Sequence, residues 1–393
     1  MGEKLRIAML GAFPLDTTHI NGGVQGYYAN LVNGLSQLND LDLHILTLRP
    51  RDYSGKDRIE ETNLTLHLLP QYPRFERVRN YRTYQTVINQ YLTQILPDLV
   101  HAQDAGSDAL VALRSVFPTV ITVHGIRWED GKHYSSWIKR LRVFYDSLLT
   151  ERYAIRHARH LIAISPYVIR YFKNMMKSDI EIYQVPNAID ERFFNLDHCP
   201  DEKIVLFAGR VIPRKRVMEL VHAFAQVHSQ IPSARLHIAG EISTEREYVG
   251  AIRRWVHESR LDEHVRFLGP LPEKSIFREF AGCSLLALPS AQETAPLVIS
   301  QAMAAKKPVI ATRVGGVADM VGEQGERGLL VEVGDIDGLV AAMIRLLQDA
   351  DLRARMGQNG LAYAHENFHS ENVARRTLEV YRHIVCKERQ VDA

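Results

Sequence analysis

The sequence predicts an α/β protein with two Rossmann-like parallel-sheet domains that face each other across a cleft. Short apolar runs alternate with amphipathic stretches along nearly the whole chain, which is the pattern of parallel strands covered by helices. The 393 residues also exceed what one hydrophobic core usually supports. Near the middle, over residues 190–203, the alternation of apolar and amphipathic segments stops, which predicts a linker. We therefore expect two domains in tandem, with the ligand between them.

The predicted strands fall into two series. The first lies at residues 5–10, 43–48, 64–69, 99–101, 120–124, 160–164 and 182–185. The second lies at residues 204–208, 235–239, 265–268, 285–288, 308–311 and 329–331. From residue 336 onward the pattern is helical to the end, with a last helix at 371–388. This division predicts an N-terminal domain over residues 1–195 and a C-terminal domain over residues 196–370.

Composition excludes several classes of protein. The formal net charge of +2 gives no basis for nucleic-acid binding, and no apolar run approaches the roughly 20 residues that span a bilayer. The N-terminus lacks the pattern of a secretory signal, which also disfavours a periplasmic binding protein. Cys199, Cys283 and Cys386 are too few and too far apart to predict a disulfide framework or a zinc site. We expect a protein of the reducing cytoplasm.

A dinucleotide dehydrogenase is the first alternative with this fold class. Its fingerprint would be Gly-x-Gly-x-x-Gly after the first strand and an acid at the end of the second. The loop after the first strand lacks that glycine spacing, and the second strand ends in Thr47, Leu48 and Arg49. The sequence therefore disfavours a nicotinamide enzyme.

Candidate site residues in the C-terminal half follow two predicted strands. Glu293 comes after the strand at 285–288 and just before a helix, and Gln301 stands eight residues later on that helix. Gly209 and Arg210 close the strand at 204–208, and Lys215 begins the next helix. Strand ends of this kind collect ligands in open α/β sheets, and a helix start with two cations favours an anion. The simpler alternative for Arg210 and Lys215 is a solvated basic turn.

Three further candidates lie in the N-terminal half. Gly22 and Gly23 precede an amphipathic helix, where paired glycines let backbone N–H groups approach a ligand closely. His124 ends the strand at 120–124, so its imidazole can bond a ligand hydroxyl. His101 ends another strand and is the less favoured candidate. A plain turn and a histidine that bonds a loop carbonyl are the simpler interpretations.

Together these segments resemble the retaining nucleotide-sugar glycosyltransferases of family 4, which have the GT-B architecture. The resemblance rests on a Gly-Arg-x4-Lys element from Gly209 to Lys215 and on a Glu-x7-Glu signature that begins at Glu293. It covers nearly the whole C-terminal domain, and the N-terminal domain only at the glycine pair and His124. The second acid of the signature is Gln301 in this chain. The resemblance also implies that the last helix, within residues 371–393, crosses back to the N-terminal domain.

The resemblance implies a role for each candidate. Arg210 and Lys215 hold the donor diphosphate, Gly22 and Gly23 face it from across the cleft, and His124 lies beside the donor sugar. Glu293 accepts hydrogen bonds from hydroxyls of that sugar. With His124, Arg210 and Lys215 it makes up the expected catalytic set. The expected donor contacts also include the backbone N–H groups of Ala295, Leu297 and Val298, the base-binding Leu268, and Gln301 at the ribose.

Two residues depart from the family pattern in ways that affect binding. Pro296 has no N–H, so one possible backbone donor is missing. Gln301 replaces a carboxylate that would accept from both ribose hydroxyls, and an amide offers one acceptor oxygen and an NH₂ donor. A neutral bond in place of a charged one costs about 1 kcal/mol, or roughly fivefold in affinity. We expect Gln301 to weaken nucleotide binding without abolishing it. Asn187 matches a turn of the family for which we expect a structural role.

The implied reaction transfers a hexosyl unit with retention to a glycan or lipid-linked acceptor in cell-envelope polysaccharide or glycolipid synthesis. Arg210, Lys215 and helix dipoles would stabilise the leaving diphosphate. No Asp-x-Asp element stands at a suitable strand end, so we predict metal-independent catalysis and no cofactor besides the donor substrate. The alternatives are an isomerase or phosphorylase of the same architecture and a non-catalytic nucleotide-sugar-binding protein.

Acceptor specificity is expected in the N-terminal domain, where two segments are both basic and aromatic. They cover residues 72–82 and 137–145. In the second segment Ile138, Leu141 and Tyr145 share a helical face with Leu148. Such a helix can lie on an anionic membrane surface. The interpretation we favour is that it docks on its own sheet and shows its charges to water. The expected location is the cytoplasm, with the inner face of the plasma membrane as an alternative.

Overall fold

The computed structural model describes residues 4–16, 23–51, 53–71, 73, 76–134, 136–197 and 203–391. These residues form two sheets, one in each half of the chain, which confirms the predicted α/β architecture. The strands are β1 (Leu5–Leu10), β2 (Leu41–Leu48), β3 (Arg58–Glu61), β4 (Leu64–Leu69), β5 (Leu99–Ala102), β6 (Thr119–Val123), β7 (His160–Ala163), β8 (Glu181–Gln184), β9 (Ile204–Ala208), β10 (Arg235–Ala239), β11 (Val265–Gly269), β12 (Leu285–Leu288), β13 (Val309–Thr312) and β14 (Gly328–Val331).

Helices cover both sheets. They are α1 (Gly23–Ser36), α2 (Arg82–Ile95), α3 (Ser107–Ala112), α4 (Arg127–Gly131), α5 (Trp137–Asp146), α6 (Arg152–His157), α7 (Pro166–Phe172), α8 (Val217–Gln230), α9 (Arg246–Glu258), α10 (Glu273–Gly282), α11 (Leu297–Ala304), α12 (Val317–Val321), α13 (Ile336–Gln348), α14 (Ala350–Phe368) and α15 (Ser370–Val391). A π-helical turn at Ser147–Glu151 joins α5 to α6, and a 3-10 turn at Pro213–Lys215 precedes α8.

Strand order fixes where a ligand can bind in each domain. The first sheet has the order β3-β4-β2-β1-β5-β6-β7-β8 and the second β11-β10-β9-β12-β13-β14. The order therefore reverses between β1 and β5 in one sheet and between β9 and β12 in the other. A crevice opens beyond the carboxyl ends of the strands at such a switch point. The loops that follow these four strands, together with the first turns of α1 and α11, carry most of the predicted site residues.

The edge strand β3 lies outside the predicted strands and pairs antiparallel with β4, whereas the other strand pairs are parallel. Its sequence, Arg-Ile-Glu-Glu, is exposed at every position and has no apolar alternation. Its extended conformation therefore comes from hydrogen bonding to β4 and not from burial of apolar side chains. Charged residues on such an edge also discourage pairing with another chain.

The last helix, α15, returns to the N-terminal domain after the chain has completed the second sheet. It crosses α1 closely at Gly34, where an added Cβ would lie 2.8 Å from the carbonyl oxygen of Ser370. Tyr381 is fully buried in the core of the N-terminal domain, and Arg389 binds Asp98 at 2.7 Å. The N-terminal domain is therefore completed by the C-terminal end of the chain.

The basic and aromatic helix α5 contradicts the docked interpretation. Ile138, Leu141 and Tyr145 are 62%, 46% and 60% exposed, so the shared apolar face is open rather than packed on the sheet. The helix is instead anchored by its last residue, Asp146, which accepts from Arg127 at 3.0 Å. In the other basic segment, Tyr72, Arg74 and Phe75 lie outside the described residues. No helix within the described ranges is both long and apolar enough to cross a membrane.

Candidate active site

A cleft of about 590 Å³ lies between the two domains, at the carboxyl ends of both sheets. Its walls come from the loops at the two switch points and from the first turns of α1 and α11. Among the predicted site residues, those that line it are Gly23, His124, Arg210, Lys215, Glu293, Ala295, Leu297, Val298 and Gln301. Gly22 lies outside the described residues. The structure thus brings together candidates that are up to 278 positions apart in sequence (Gly23 to Gln301).

Glu293 forms the charged centre of the C-terminal wall. It follows β12, is 6% exposed, and forms an ion pair with the Nζ atom of Lys215. Arg214 lies 3.5 Å from its other carboxylate oxygen. Burial acts to raise the pKa of Glu293, but the two cations outweigh burial and lower the pKa below its ordinary value. Glu293 is therefore an ionised acceptor at neutral pH.

The backbone around Glu293 is held by both domains. Gly315 has φ of +53°, and a Cβ there would overlap the carbonyl oxygen of Glu293, so only glycine allows this approach. From the N-terminal domain, Ser165 Oγ donates to the carbonyl of Thr294 at 3.2 Å, and Asn187 Nδ2 donates to that of Ala295 at 3.2 Å. The position of Glu293 therefore depends on how the two domains are seated.

The basic turn after β9 supplies cations to the same wall. The guanidinium of Arg210 is exposed in the cleft and has no ion-pair or hydrogen-bond partner among the described residues, which leaves it available to an anion. Helix α8 begins at Val217, later than expected, and the N–H of Met218 donates to the Tyr248 hydroxyl at 3.1 Å. Side chains rather than this helix start therefore present positive charge to the cleft.

The first turn of α11 completes the C-terminal wall. Ala295, Leu297 and Val298 line the cleft here, and the N–H groups of a first helical turn have no acceptor within their own helix. Gln301 lies one turn after Leu297 and also faces the cleft. Backbone donors and an amide thus follow Glu293 along one edge of the cavity.

The N-terminal wall is neutral where it meets the glycine loop. Gly23 is the first residue of α1, and an added Cβ would approach only Leu297, at 3.9 Å. His124 is 8% exposed, packs at a tilt against Tyr27 with ring centroids 4.5 Å apart, and has its Nε2 atom 3.3 Å from Gln103 Oε1. Burial lowers the pKa of His124 to about 4, so its imidazole is neutral at neutral pH.

Several cleft residues were not predicted from the sequence as site residues. Asp104 and Asp130 line the N-terminal wall, and Arg127 between them binds both Asp104 and the buried Asp146. Arg214 reaches across the cleft to Asp130 at 3.5 Å. The only sequence signal for Arg214 was its place in a basic run, because its partners come from distant elements. Asn187, expected to be structural, also lines the cleft.

A group of apolar side chains lines the cleft after β11, beside Glu273. Leu271, Ile276 and Phe277 line it, whereas Leu268 packs against the core of the C-terminal domain and is not among the described cleft residues. The apolar cleft residue that follows Leu268 in the sequence is Leu271, three positions on. Within the described residues no group of three or more His, Cys, Asp and Glu side chains is placed to hold a metal ion.

Two family models match the chain. The model for glycosyl transferases group 1 matches residues 188–362, and that for glycosyltransferase family 4 matches residues 21–193. An uncharacterized glycosyltransferase of Methanocaldococcus jannaschii is 26% identical over 365 residues, which cover 92% of this chain and 94% of the relative. The N-acetyl-alpha-D-glucosaminyl L-malate synthase of Bacillus anthracis is 30% identical over 240 residues, or 58% of this chain and 61% of the relative.

Solved structures share both domains. Sucrose-phosphate synthase from Thermosynechococcus elongatus superimposes with a TM-score of 0.80 at 24% identity, over 98% of this chain and 100% of that one. HepE of Anabaena, solved with UDP and glucose, gives a TM-score of 0.73 at 20% identity, over 95% and 98% of the two chains. The two family models together span residues 21–362, and the two solved structures superimpose on nearly the whole of this chain. The chain therefore belongs to the family-4 type of glycosyltransferases with the GT-B fold.

Proposed function

We propose that this glycosyltransferase moves a hexosyl unit from a nucleoside-diphosphate sugar to a glycan or lipid-linked acceptor, with retention and without a metal ion. The observation that carries the proposal is the meeting of Glu293, Lys215 and the unpaired Arg210 in one interdomain cleft. The HepE structures contain UDP or UDP-glucose, which supports a nucleotide-sugar donor.

The charges on the C-terminal wall support a donor diphosphate beside Arg210 and Lys215. Arg210 offers its guanidinium, and Lys215 can exchange part of its contact with Glu293 for a phosphate oxygen. Charge-assisted bonds of this kind are about twice as strong as neutral ones and stabilise a leaving diphosphate as its charge grows. The N–H groups at the start of α11 then lie beside the phosphates or the sugar.

The sugar would lie between Glu293 and His124. Glu293 is ionised and accepts hydrogen bonds from sugar hydroxyls, while the neutral His124 bonds a further hydroxyl. In the reaction the bond between the anomeric carbon and the phosphate oxygen breaks, and the acceptor oxygen bonds that carbon on the same face. The departing phosphate oxygen takes the acceptor proton. Arg210 and Lys215 stabilise the leaving group.

The test is a binding and turnover screen with UDP-, GDP- and ADP-sugars, run on wild type and Glu293→Ala. We expect one donor to be hydrolysed slowly without acceptor, and this activity to disappear in Glu293→Ala. Glu263→Ala removes an exposed carboxylate outside the cleft and serves as the matched control. Product NMR reads the anomeric configuration. Binding without turnover would identify a nucleotide-sugar sensor, and turnover only with free phosphate would identify a phosphorylase.

For the acceptor side we propose that the open face of α5 rests on an anionic membrane. Trp137, Ile138, Leu141 and Tyr145 are exposed on this helix, and Lys139, Arg140 and Arg142 supply positive charge. A cationic helix with exposed aromatic and aliphatic side chains suits the interface of anionic lipids. The proposed location is therefore the cytoplasmic side of the plasma membrane, next to a lipid-linked acceptor.

Sedimentation with anionic vesicles at low salt tests the membrane contact. Reversal of Lys139, Arg140 and Arg142 to Glu should abolish binding. A control variant changes three exposed cations elsewhere, Lys177, Lys274 and Arg355, to Glu. It has the same change in net charge and should retain most of the vesicle binding. Equal loss in both triple variants would contradict a specific role for α5.

A further inference from the structure

A series of buried hydrogen bonds connects the C-terminal helix to the cleft. The Tyr381 hydroxyl lies 2.6 Å from His101 Nδ1, and His101 Nε2 lies 2.7 Å from Thr122 Oγ1. Gln103 places its amide nitrogen 3.1 and 3.2 Å from the two ring nitrogens of His101, and its Oε1 atom 3.3 Å from His124 Nε2. We call Tyr381, His101, Gln103 and His124 the buried relay.

The topology explains why these residues meet. His101 belongs to β5 at the switch point, and Gln103, two positions later, lies on the same side of the chain. Thr122 belongs to the neighbouring strand β6, and His124 directly follows that strand. Tyr381 arrives from α15. Tyr381 and His101 are fully buried and Gln103 is 1% exposed, so each polar group of the relay must find its partner inside the protein.

The protonation states follow from donors and acceptors. Burial lowers the pKa of His101 to about 3, so its neutral ring carries one N–H. Its other ring nitrogen can only accept, and the hydroxyls of Tyr381 and Thr122 can each donate or accept, so they satisfy either tautomer of His101. The NH₂ group of Gln103 is directed at His101, and its carbonyl oxygen can only accept. That oxygen therefore favours the form of His124 with hydrogen on Nε2 and a lone pair on Nδ1.

We propose that Tyr381, His101 and Gln103 are positioning residues that hold His124 in the Nε2–H tautomer, so that its Nδ1 atom is the hydrogen-bond acceptor in the cleft. The seating of α15 on the N-terminal domain is thereby coupled to the orientation of a cleft residue some 260 positions earlier in the chain. Only the activity arm of the test rests on the proposed glycosyl transfer. The tautomer can be measured in the protein without any substrate.

The surroundings of His124 define what else can change its protonation. Asp104, from the loop after β5, acts to raise its pKa, but this carboxylate is bound by Arg127 from α4. The Tyr27 ring packs from α1, and the Asn187 side chain supports the charged form from the turn after β8. Removal of a relay hydrogen bond leaves these groups in place, so a tautomer change in a relay variant reports on the relay.

The first arm uses long-range ¹H–¹⁵N spectra of histidine-labelled protein, with His124 assigned through His124→Asn. We expect the Nε2–H tautomer in wild type and a mixture in Gln103→Leu and Tyr381→Phe. Gln103→Glu places a carboxylate against Nε2 and should raise the pKa of His124 by one unit or more. Thr377→Val is the matched control, since this buried hydroxyl on α15 bonds its own helix at Val373. An unchanged His124 signal in all three relay variants overturns the proposal.

The second arm measures turnover against pH with whichever of UDP-glucose or GDP-mannose the wild type uses. Tyr381→Phe should lower kcat on the order of tenfold with little change in the donor KM, because a wrong tautomer removes the acceptor without removing binding groups. Gln103→Glu should move the acid limb upward in pH. If Thr377→Val lowers kcat as much as Tyr381→Phe, the relay is merely structural and the proposal fails. A relay confirmed by spectra, with no transfer from any donor, would instead contradict the proposed function.

Discussion

The two walls of the cleft present different chemistry at Glu293 and at His124. The C-terminal wall concentrates charge, with Arg210, Arg214, Lys215 and Glu293 within two short loops. The N-terminal wall at His124 is built from neutral hydrogen bonds that converge from β5, β6 and α15. Charge at a strand end is a local feature, whereas a neutral network depends on packing across the whole domain. The comparison predicts that the two walls respond differently to pH and to substitution.

The largest expected difference is in acid stability. The pKa values of His101 and His124 are lowered to about 3 and about 4 in the folded protein, against about 6.5 when unfolded. Below pH 6.5 the unfolded chain binds protons that the folded chain does not, so the free energy of unfolding falls as pH falls. Two such groups remove about 3 kcal/mol between pH 6.5 and 5.

Hydrogen exchange measured separately for the two sheets checks this expectation. Between pH 7 and 5, protection corrected for intrinsic rates should fall in β5 and β6 more than in β9 and β12. His67, whose pKa burial lowers to about 4, adds to the effect in the N-terminal domain. Equal loss of protection in both sheets would contradict the contrast between the two walls.

The second prediction removes a cation from the charged wall. Lys215→Met should weaken binding of the donor identified in the screen by about 10- to 100-fold, because a charge-assisted bond to phosphate contributes about 1.5–3 kcal/mol. Arg216→Gln is the control, since Arg216 binds Glu219 and is not among the described cleft residues. Donor affinities measured by calorimetry should be clearly lower for Lys215→Met than for Arg216→Gln. Similar affinities would contradict a contact between Lys215 and the donor phosphates.

The third prediction tests how closely the donor approaches the backbone at the start of α1, on the N-terminal wall. Gly23→Ala fits the empty cleft, because its Cβ would meet only Leu297 at 3.9 Å. Alanine also favours a helical position over glycine by up to about 1 kcal/mol, so the thermal midpoint should hold or rise. Donor affinity should still fall severalfold, since the methyl group occupies ligand space. An unchanged affinity would show that the donor does not approach this helix start.

The smallest effect is expected at Gln301. Gln301→Glu restores an acceptor carboxylate at the predicted ribose contact and should preserve or tighten nucleotide binding, by a few-fold at most. Titration with the free nucleoside diphosphate isolates this contact from the sugar. Loss of binding in Gln301→Glu would contradict the predicted position of the ribose.

The sequence and the structure agree best for features that depend on residues close together in the sequence. The strands β9 and β12, their following loops and the order Gly209, Arg210, Lys215, Glu293 could all be predicted, because apolar periodicity and neighbouring charges are local signals. The open face of α5 was predicted wrongly. Its apolar spacing is the same whether the helix docks or not, and contacts with α4 through Phe144 and Asp146 hold the helix with that face exposed.

By itself, the sequence determined the fold class, the two sheets and the charged wall, since strand periodicity and ion-binding turns need only a few adjacent residues. Tertiary structure decided which side chains share the cleft, that Arg214 reaches Asp130, and that α15 brings Tyr381 to His101. These contacts join residues 84 and 280 positions apart. Nothing in the local pattern encodes them, because they arise only when burial forces each polar group to find a partner inside the fold.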